Sequence, residues 1–191
     1  MKKIMMTLAA ALMAVSMNAQ NVYVGGSLGY TTTSYDGNAT QSSFKLIPEI
    51  GFQFNETMGV GIEVGYSSRT NKAVDPKLTN STFSVAPYFR YTPIHIDAVN
   101  VFVDGKFAYS QNNNETNVAG KATDNKTNAW GLYVQPGIAY NLNDNFALVA
   151  KFGNILGYSS SKPDADGAKA TNTFQVLNLT NDISFGFYYN F

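Results

Sequence analysis

The feature that most constrains this chain is its final segment, residues 184–191, where aromatic and more polar residues alternate. The aromatic residues at every second position are Phe185, Phe187, Tyr189 and Phe191. A period of two places them on one face of a β-strand. In water, an exposed aromatic strand would promote aggregation. The segment therefore predicts a strand whose aromatic face meets lipid.

Seven earlier segments show the same alternation. They are residues 22–31, 43–54, 58–68, 82–92, 98–109, 129–140 and 146–158. With the final segment they predict eight strands, an even number and the smallest usual size for a transmembrane barrel. We therefore expect an all-β fold, an eight-stranded antiparallel up-and-down transmembrane β-barrel.

The connections between these segments alternate in length. Short ones cover residues 55–57, 93–97 and 141–145, whereas long polar ones cover 32–42, 69–81, 110–128 and 159–173. Short turns on the periplasmic side and long loops outside are typical of outer-membrane barrels. We therefore expect both chain termini in the periplasm. The polar run Gln111-Asn112-Asn113-Asn114 is interpreted as part of a solvated, mobile loop.

The face opposite the aromatic residues is polar, which predicts an inside-out protein. It carries Lys45, Glu49, Glu63, Arg90, Asp104, Lys106, Gln135, Lys151 and Asp182. A soluble lipocalin-like barrel would instead bury apolar residues. Four basic and four acidic residues balance, and an eight-stranded barrel is barely wide enough for side chains. We expect a salt-bridged plug rather than an aqueous pore; a gate or proton path is the alternative interpretation.

Glycines on the same face leave room for these side chains: Gly51, Gly61, Gly65, Gly131 and Gly137. The outward aromatic residues fall into two belts, as expected at two headgroup levels. The loop-end belt is Phe44, Tyr66, Phe83, Tyr109, Trp130 and Tyr158; the turn-end belt is Phe54, Tyr91, Tyr140, Phe146, Tyr189 and Phe191. Some residues fit this pattern badly: Asn154 and Asn181 fall on the lipid face, and Ile47, Phe102, Val149 and Ile155 point inward.

Composition narrows the possible partners. Thirteen basic and 13 acidic residues cancel, so the charge gives no sign of a nucleic-acid partner. The chain has no cysteine, which excludes disulfides and thiolate metal sites. Charged residues make up 14% of the chain, below the level of about 25% typical of soluble domains. We expect no cofactor and no metal.

The N-terminus resembles an export signal. Lys2 and Lys3 precede an apolar run over residues 4–15, and a short cleavage region contains Ala19. The run is short for a membrane-spanning helix. We therefore expect a signal peptide at residues 1–19 and a barrel domain at residues 20–191.

A proline repeat adds to the pattern. Ile47-Pro48-Glu49, Ala86-Pro87-Tyr88 and Gln135-Pro136-Gly137 share one position on three even-numbered strands, which predicts a bulge at each proline. With the final motif of Ser184, Gly186, Phe187, Tyr189 and Phe191, the mature chain resembles the outer-membrane β-barrel domain family of Bacteroidetes and, more distantly, OmpA/OmpX-type barrels. The resemblance implies that the protein lies among the lipids of a Gram-negative outer membrane. It also implies that the barrel assembly machinery recognises that motif and inserts the protein.

Enzymatic signals are weak. Gly25-Gly26-Ser27-Leu28-Gly29 matches G-x-S-x-G but lies within an alternating strand, where no nucleophile elbow can form. His95 falls in the connection 93–97, on the presumed periplasmic side. We expect a monomeric, non-enzymatic protein that acts in envelope structure or in surface contacts through four long loops. A small-solute channel is the alternative, and a lipid-modifying enzyme is a third hypothesis.

Overall fold

The computed structural model describes residues 21–35, 38–71, 78–118, 121–165, 167–179 and 183–191. The described residues form ten strands: β1 (Val22–Tyr35), β2 (Asn38–Gln53), β3 (Met58–Asn71), β4 (Leu78–Ile96), β5 (Val99–Val118), β6 (Lys121–Asn141), β7 (Phe146–Lys151), β8 (Leu156–Pro163), β9 (Thr171–Val176) and β10 (Ser184–Asn190). All of their ladders are antiparallel.

These ten strands build an eight-stranded barrel. Both β7 and β8 pair with β6, so they are two parts of the seventh strand. The eighth strand consists of β9, which pairs with β8, and β10, which pairs with β7. The sheet closes because β10 also pairs with β1, and β5 pairs with β6. The predicted barrel is confirmed, although the seventh predicted strand, 146–158, is interrupted over residues 152–155.

The seventh and eighth strands are interrupted side by side. Gly137 of β6 pairs with Lys151, and Val134 of β6 pairs with Leu156. An advance of three residues along β6 therefore corresponds to an advance of five residues along the seventh strand. On its other side, the seventh strand pairs Lys151 with Ser184 and Leu156 with Val176. The same five residues of the seventh strand therefore correspond to eight residues of the eighth strand. The eighth strand thus contains three extra residues between β9 and β10, next to Leu177 with a positive φ of 54°.

The predicted bulges at the proline repeat are correct only at Pro136, which lies beside the shifted register of the seventh strand. At Pro48 and Pro87 the prediction is wrong. The β2–β3 ladder lacks pairs at Pro48, and the β4–β5 ladder lacks pairs at Pro87, but each ladder resumes in the same register. A missing N–H removes a hydrogen bond without requiring an extra residue.

The two faces of the wall differ as expected. Along β4, buried residues alternate with exposed ones, so that Arg90 is buried while Phe89 and Tyr91 are exposed. Apolar side chains therefore cover the outside, and charged and tyrosine side chains fill the interior. Among the described residues, no helix is long and apolar enough to cross a membrane.

At one end of the barrel the strands extend beyond their predicted ends. β5 reaches Val118 and β6 begins at Lys121, where residues 110–128 were predicted to be a loop. Gln111 to Asn114 lie within β5 and pair with β4 and β6, so their interpretation as a mobile loop is wrong. Both faces of the strand are polar here, which removes the alternation that would reveal a strand.

The turns at the opposite end are short. In the β2–β3 turn, Asn55 Oδ1 accepts hydrogen bonds from the backbone N–H groups of Thr57 and Met58 at 2.9 and 2.8 Å. Asn143 Oδ1 does the same for Asn145 and Phe146 in the β6–β7 turn. The β4–β5 turn is only residues 97–98, shorter than the predicted 93–97. The predicted short connections at this end are otherwise confirmed.

Four hairpins, β1–β2, β3–β4, β5–β6 and β8–β9, lie at the end of the barrel opposite the short turns, which we call the long-hairpin end. The aromatic belt at this end is more regular than predicted. Its residues face one another in register across the four hairpins: Tyr30 with Phe44, Tyr66 with Phe83, Tyr109 with Trp130, and Tyr158 with Phe174. We call these eight residues the upper belt. It contains the six predicted members and adds Tyr30 and Phe174. Each of the eight barrel strands thus contributes one aromatic side chain.

Two of the residues that fitted the alternation badly lie at an irregular position. Asn154 and Ile155 fall in the interruption of the seventh strand, where Asn154 O accepts a hydrogen bond from Asn178 N at 2.9 Å. Val149 is buried inside the barrel and Ile47 is half-buried. Asn181 lies outside the described residues.

Candidate functional site: a charged cluster inside the barrel

Six charged side chains meet inside the barrel because each occupies an inward position of its strand. The residues are Glu49 on β2, Glu63 on β3, Arg90 on β4, Asp104 and Lys106 on β5, and Lys151 on β7. The strand register brings Glu49 opposite Glu63 and Arg90 opposite Asp104. All six are buried, Asp104 completely at 0% exposure.

Arg90 makes four hydrogen bonds to its neighbours. Its Nε donates to Asp104 Oδ1 at 2.7 Å, and its Nη2 donates to Asp104 Oδ2 at 2.9 Å. The same Nη2 lies 3.1 Å from Glu49 Oε1 and 3.0 Å from the Tyr188 hydroxyl. The two parallel bonds to Asp104 fix the plane of the guanidinium, as in other bidentate arginine–carboxylate pairs.

Two lysines complete the cluster. Lys151 Nζ donates to Glu49 Oε2 and to Glu63 Oε1, both at 2.5 Å. Lys106 Nζ donates to Glu63 Oε1 and to Gln135 Oε1, also at 2.5 Å. Three positive and three negative side chains therefore neutralise one another, which is the condition for keeping ions in a low-dielectric interior.

Tyrosines extend the cluster across the interior. Tyr88 OH donates to Glu49 Oε1 at 2.5 Å, and Tyr188 OH lies 3.0 Å from the same oxygen. The hydroxyls of Tyr23 and Tyr88 are 2.6 Å apart. These rings connect β1, β4 and β10 to the carboxylate on β2, so the hydrogen bonds span the barrel.

Phe102 forms one side of the arginine site. The Arg90 guanidinium carbon is 3.9 Å from the centroid of the Phe102 ring, close enough for a cation–π interaction. Opposite the buried rings lie glycines. A Cβ at Gly51 would overlap Tyr23, one at Gly61 would overlap Tyr88, and one at Gly137 would overlap Phe102. The room predicted at these glycines exists, but aromatic rings occupy it.

The predicted interior residues thus divide into three groups. Six form the ion-paired cluster, and Gln135 joins it by accepting from Lys106 while donating to Phe152 O at 2.6 Å. Lys45 lies on the inner face of β2, two inward positions from Glu49 towards the long hairpins, and is half-buried. Asp182 lies outside the described residues.

Sequence reasoning missed Tyr23, Tyr88 and Tyr188, whereas it placed Phe102 inward, as the structure has it. A signal was present, because each of the three tyrosines has the inward parity of its strand, opposite to the belt residues. A tyrosine carries a hydroxyl that a lipid-facing position would not satisfy. An inward tyrosine with a glycine opposite on a neighbouring strand is therefore the pattern to search for.

The ion pairs of the cluster oppose the binding of a metal ion. The carboxylates of Glu49, Glu63 and Asp104 have oxygens within 4.8 Å of one another. Each carboxylate, however, already accepts hydrogen bonds from Arg90, Lys106 or Lys151. A cation would have to displace these side chains.

A polar cavity of about 510 Å³ lies between the cluster and the short turns. Arg90, Phe102 and Tyr188 line its inner end, and Glu56, His95 and Asp144 lie nearer the turns. His95 lies in β4, paired with Asn100, and its Nε2 is 2.7 Å from Glu56 O. Ser27 lies within β1 in the ladders to β2 and β10, so the G-x-S-x-G match forms no elbow.

The final motif forms β10 and the end of the chain. Phe185 and Phe187 project outward and are exposed, while Tyr189 contacts Phe146 and Phe191 edge-on at 5.0 and 4.8 Å. The Phe191 N–H donates to Val22 O at 3.0 Å, which joins the end of the chain to the start of β1. Gly186 lies so close to Gly26 O that a Cβ would overlap it.

Comparison with known proteins agrees with this architecture. The family model described as "Outer membrane protein beta-barrel domain" matches residues 5–191. Among solved structures, the fold is similar to Neisserial surface protein A (TM-score 0.50, 17% identity, covering 89% of this chain and 97% of that one). It is also similar to a major outer membrane protein of Thermus thermophilus (TM-score 0.54, 15% identity, covering 91% and 100%). The search of curated proteins finds no match.

Proposed function

Because the chain belongs to the outer membrane protein β-barrel domain family, whose location is the bacterial outer membrane, we propose that it is a non-enzymatic barrel with a plugged interior. Its work is then done at the membrane surface, in envelope structure or in contacts made by the long hairpins. The observation that carries this proposal is the neutral cluster centred on Arg90 and Glu49.

The cluster supports a plug because its bonds cross the barrel. Glu49 is bonded to side chains from β4, β7 and β10, and Tyr23 on β1 joins through Tyr88. Removing one partner from a buried ion pair costs about 3–5 kcal/mol, since it leaves an unpaired charge. Opening a path for water here would require several such losses at once.

The alternative is a small-solute channel, and conductance separates the two. We expect the purified wild-type protein to give no steps in planar lipid bilayers. The double variant Glu49→Ala/Arg90→Ala, which removes a carboxylate with its guanidinium, should give measurable current. Lys162→Ala, an exposed change on β8, is the matched control and should remain silent. Regular conductance steps in the wild type would reject the plug.

The hairpins support a surface role. β5 and β6 continue for about nine residues beyond Tyr109 and Trp130, and these extensions are rich in Asn and Thr. Polar residues on both faces suit strands in water above the membrane. Residues that make contacts are commonly carried on extensions of a rigid scaffold.

The proposed orientation places the hairpins outside and both termini in the periplasm. An epitope inserted between Val118 and Lys121 should be detected on intact cells, whereas the same epitope in the turn at Asp144 should require permeabilised cells. Detection of the Asp144 epitope on intact cells would reverse the orientation. An unchanged lipid A profile on deletion of the gene is expected for a non-enzymatic protein.

A further inference from the structure

The interior of the barrel is not filled at the end that carries the short turns, which we call the short-turn end. The polar cavity of about 510 Å³ lies there, and its walls come from strands all round the barrel, namely β1, β2, β4, β5, β6, β7 and β10. Ligand pockets in proteins commonly measure about 300–1,000 Å³. The cavity is therefore large enough to hold a small organic molecule.

Arg90 lines the inner end of the cavity and has hydrogen-bond donors left over. Its four hydrogen bonds use Nε and Nη2, and its Nη1 donates to no described residue. Among the described residues, Asn113 Oδ1 is the one side-chain nitrogen or oxygen atom that is both fully buried and unbonded. The Nη1 group is therefore not sealed within the protein. Because the Arg90 side chain is only 4% exposed and lines the cavity, its free amino group is available there.

The groups around Arg90 determine what this amino group can bind. Asp104 and Glu49 already pair with the guanidinium, within a cluster that is neutral as a whole. A second anion beside these two carboxylates would be repelled at short range. The oxygen of a carbonyl or hydroxyl group, in contrast, can accept a hydrogen bond from Nη1 without adding charge. The inner end of the cavity therefore favours a neutral acceptor.

The rim of the cavity carries negative charge. Three carboxylates, Glu56, Asp97 and Asp144, and no lysine or arginine occur in the segments at the short-turn end, which are residues 52–59, 91–101, 139–147 and 188–191. Glu56 and Asp144 are exposed and line the cavity, whereas Asp97 lies outside it in the β4–β5 turn. A cleft lined by charges of one sign attracts ligands of the opposite sign. The rim therefore favours a cation.

This arrangement does not suit a metal ion. In the part of the chain that the structure describes, one set of three acidic or histidine side chains lies close enough to share an ion, and it belongs to the charged cluster. At the rim, His95 Nε2 instead donates to Glu56 O at 2.7 Å, since a carbonyl oxygen can only accept. This bond attaches the β2–β3 turn to β4 and holds Glu56 beside the cavity. The rim carboxylates are thus placed to meet an organic cation.

We propose that the cavity binds a small organic cation that carries a neutral carbonyl or hydroxyl oxygen. The oxygen accepts a hydrogen bond from Arg90 Nη1, and the cationic group lies at the rim with Glu56 and Asp144. Arg90 and His95 are five residues apart on β4, with one extra residue at a bulge between them, so the two ends are separated by roughly 13 Å. The ring of Phe102 lines the inner part of the cavity and suits an aliphatic chain that joins the two groups.

The first experiment varies the ligand and leaves the protein intact. The probe is 6-aminohexanamide, which joins an ammonium group to a carbonyl oxygen; hexylammonium lacks the acceptor, and hexanamide lacks the charge. NMR would follow the backbone amides of the wild-type protein in uncharged detergent micelles. We expect saturable shifts at the cavity residues Asn100, Ala139 and Asn141 with 6-aminohexanamide. Hexylammonium should bind about tenfold more weakly, as for the loss of one charge-assisted hydrogen bond, and hexanamide several-fold more weakly.

The second experiment removes the rim charges with changes that keep the side-chain size. Glu56→Gln and Asp144→Asn should each weaken the binding of 6-aminohexanamide about threefold, as for one exposed ion pair, and the double variant about tenfold. The binding of hexanamide should not change. Asp97→Asn is the matched control, because it removes the same charge at the same end of the barrel but outside the cavity. It should leave the affinity for 6-aminohexanamide unchanged.

Three results would overturn the proposal: no saturable shifts with 6-aminohexanamide, equal affinity for all three compounds, or an equal loss of affinity in Asp97→Asn. The last would show that only the net charge of this end matters. The ligand series tests the acceptor role of Arg90 without changing a residue on which folding depends. The inference goes beyond the proposed function and does not depend on the orientation in the membrane, so its failure would leave the plug and the surface role untouched.

Discussion

The guanidinium carbon of Arg90 lies over the ring of Phe102 inside the barrel, 3.9 Å from the ring centroid. One ring therefore both fills space and stabilises the charge. The ring itself packs against Gly137 on β6. This relationship links the wall to the ion-paired cluster, and it suggests where the structure is most sensitive to change.

Phe102→Ala should be strongly destabilising. Truncating a buried phenylalanine costs about 3–5 kcal/mol, because packing is lost and a cavity remains. The loss of the cation–π contact would add about 1–2 kcal/mol. Urea unfolding in lipid vesicles would measure the change in the free energy of unfolding. Phe107→Ala, on the outer face of β5 and 45% exposed, is the control and should change the free energy of unfolding much less. Similar losses for the two would contradict the assigned role.

Lys151→Met should destabilise the barrel by about 3–5 kcal/mol, because Glu49 and Glu63 would both lose an ion pair and one buried negative charge would be left without compensation. The double variant Lys151→Met/Glu63→Gln restores neutrality and should recover a large part of the loss. A double-mutant cycle on unfolding free energies would measure the coupling. Additive effects of the two changes would show that the residues act independently.

Gly61→Ala should be destabilising, since its new methyl group would overlap the Tyr88 ring that bonds Glu49. Overpacking of this kind costs about 1–3 kcal/mol. Gly105→Ala is a matched control, because its nearest neighbour would be Phe89 O at 3.9 Å on the outer face. Thermal unfolding of both variants in one detergent would compare them. A Gly61→Ala variant as stable as Gly105→Ala would be inconsistent with close packing at Tyr88.

Deleting Phe191 should impair insertion in cells, because it removes the last residue of the final motif and its edge contact with Tyr189. The resemblance to outer-membrane barrels implies that the assembly machinery recognises this motif. Phe191→Tyr keeps the aromatic ring and should insert normally. Heat-modifiability gels on outer-membrane fractions, unboiled against boiled, would report folding. Normal migration of the deletion variant would argue against recognition through Phe191.

The sequence was most informative where one face of a strand is apolar. Alternation predicted the inward positions of Glu49, Arg90 and Lys151, and the structure brings all three into one cluster. It did not predict which groups bond, since register depends on cross-strand pairing along the whole ladder. Nor did it reveal Tyr188 as a partner of Glu49, because a tyrosine suits either the interior or the membrane interface.

Two other features could not be predicted, for different physical reasons. The strand at Gln111 to Asn114 carries polar residues on both faces, so its periodicity disappears although its ladder is complete. The three extra residues in the eighth strand change its outward positions from even-numbered residues such as Phe174 to odd-numbered ones such as Phe185. Alternation alone cannot locate such an insertion. The first feature lies beyond Tyr109 of the upper belt, where neither face of the strand is apolar.

The upper belt also sets how deeply the barrel lies in the membrane. Its residues are paired in register across all four hairpins, so no strand can slide through the interface without carrying the whole wall with it. The belt therefore fixes the depth of the barrel in the bilayer. The hairpins stand at a constant distance above the lipid, and whatever meets them must reach down to that level.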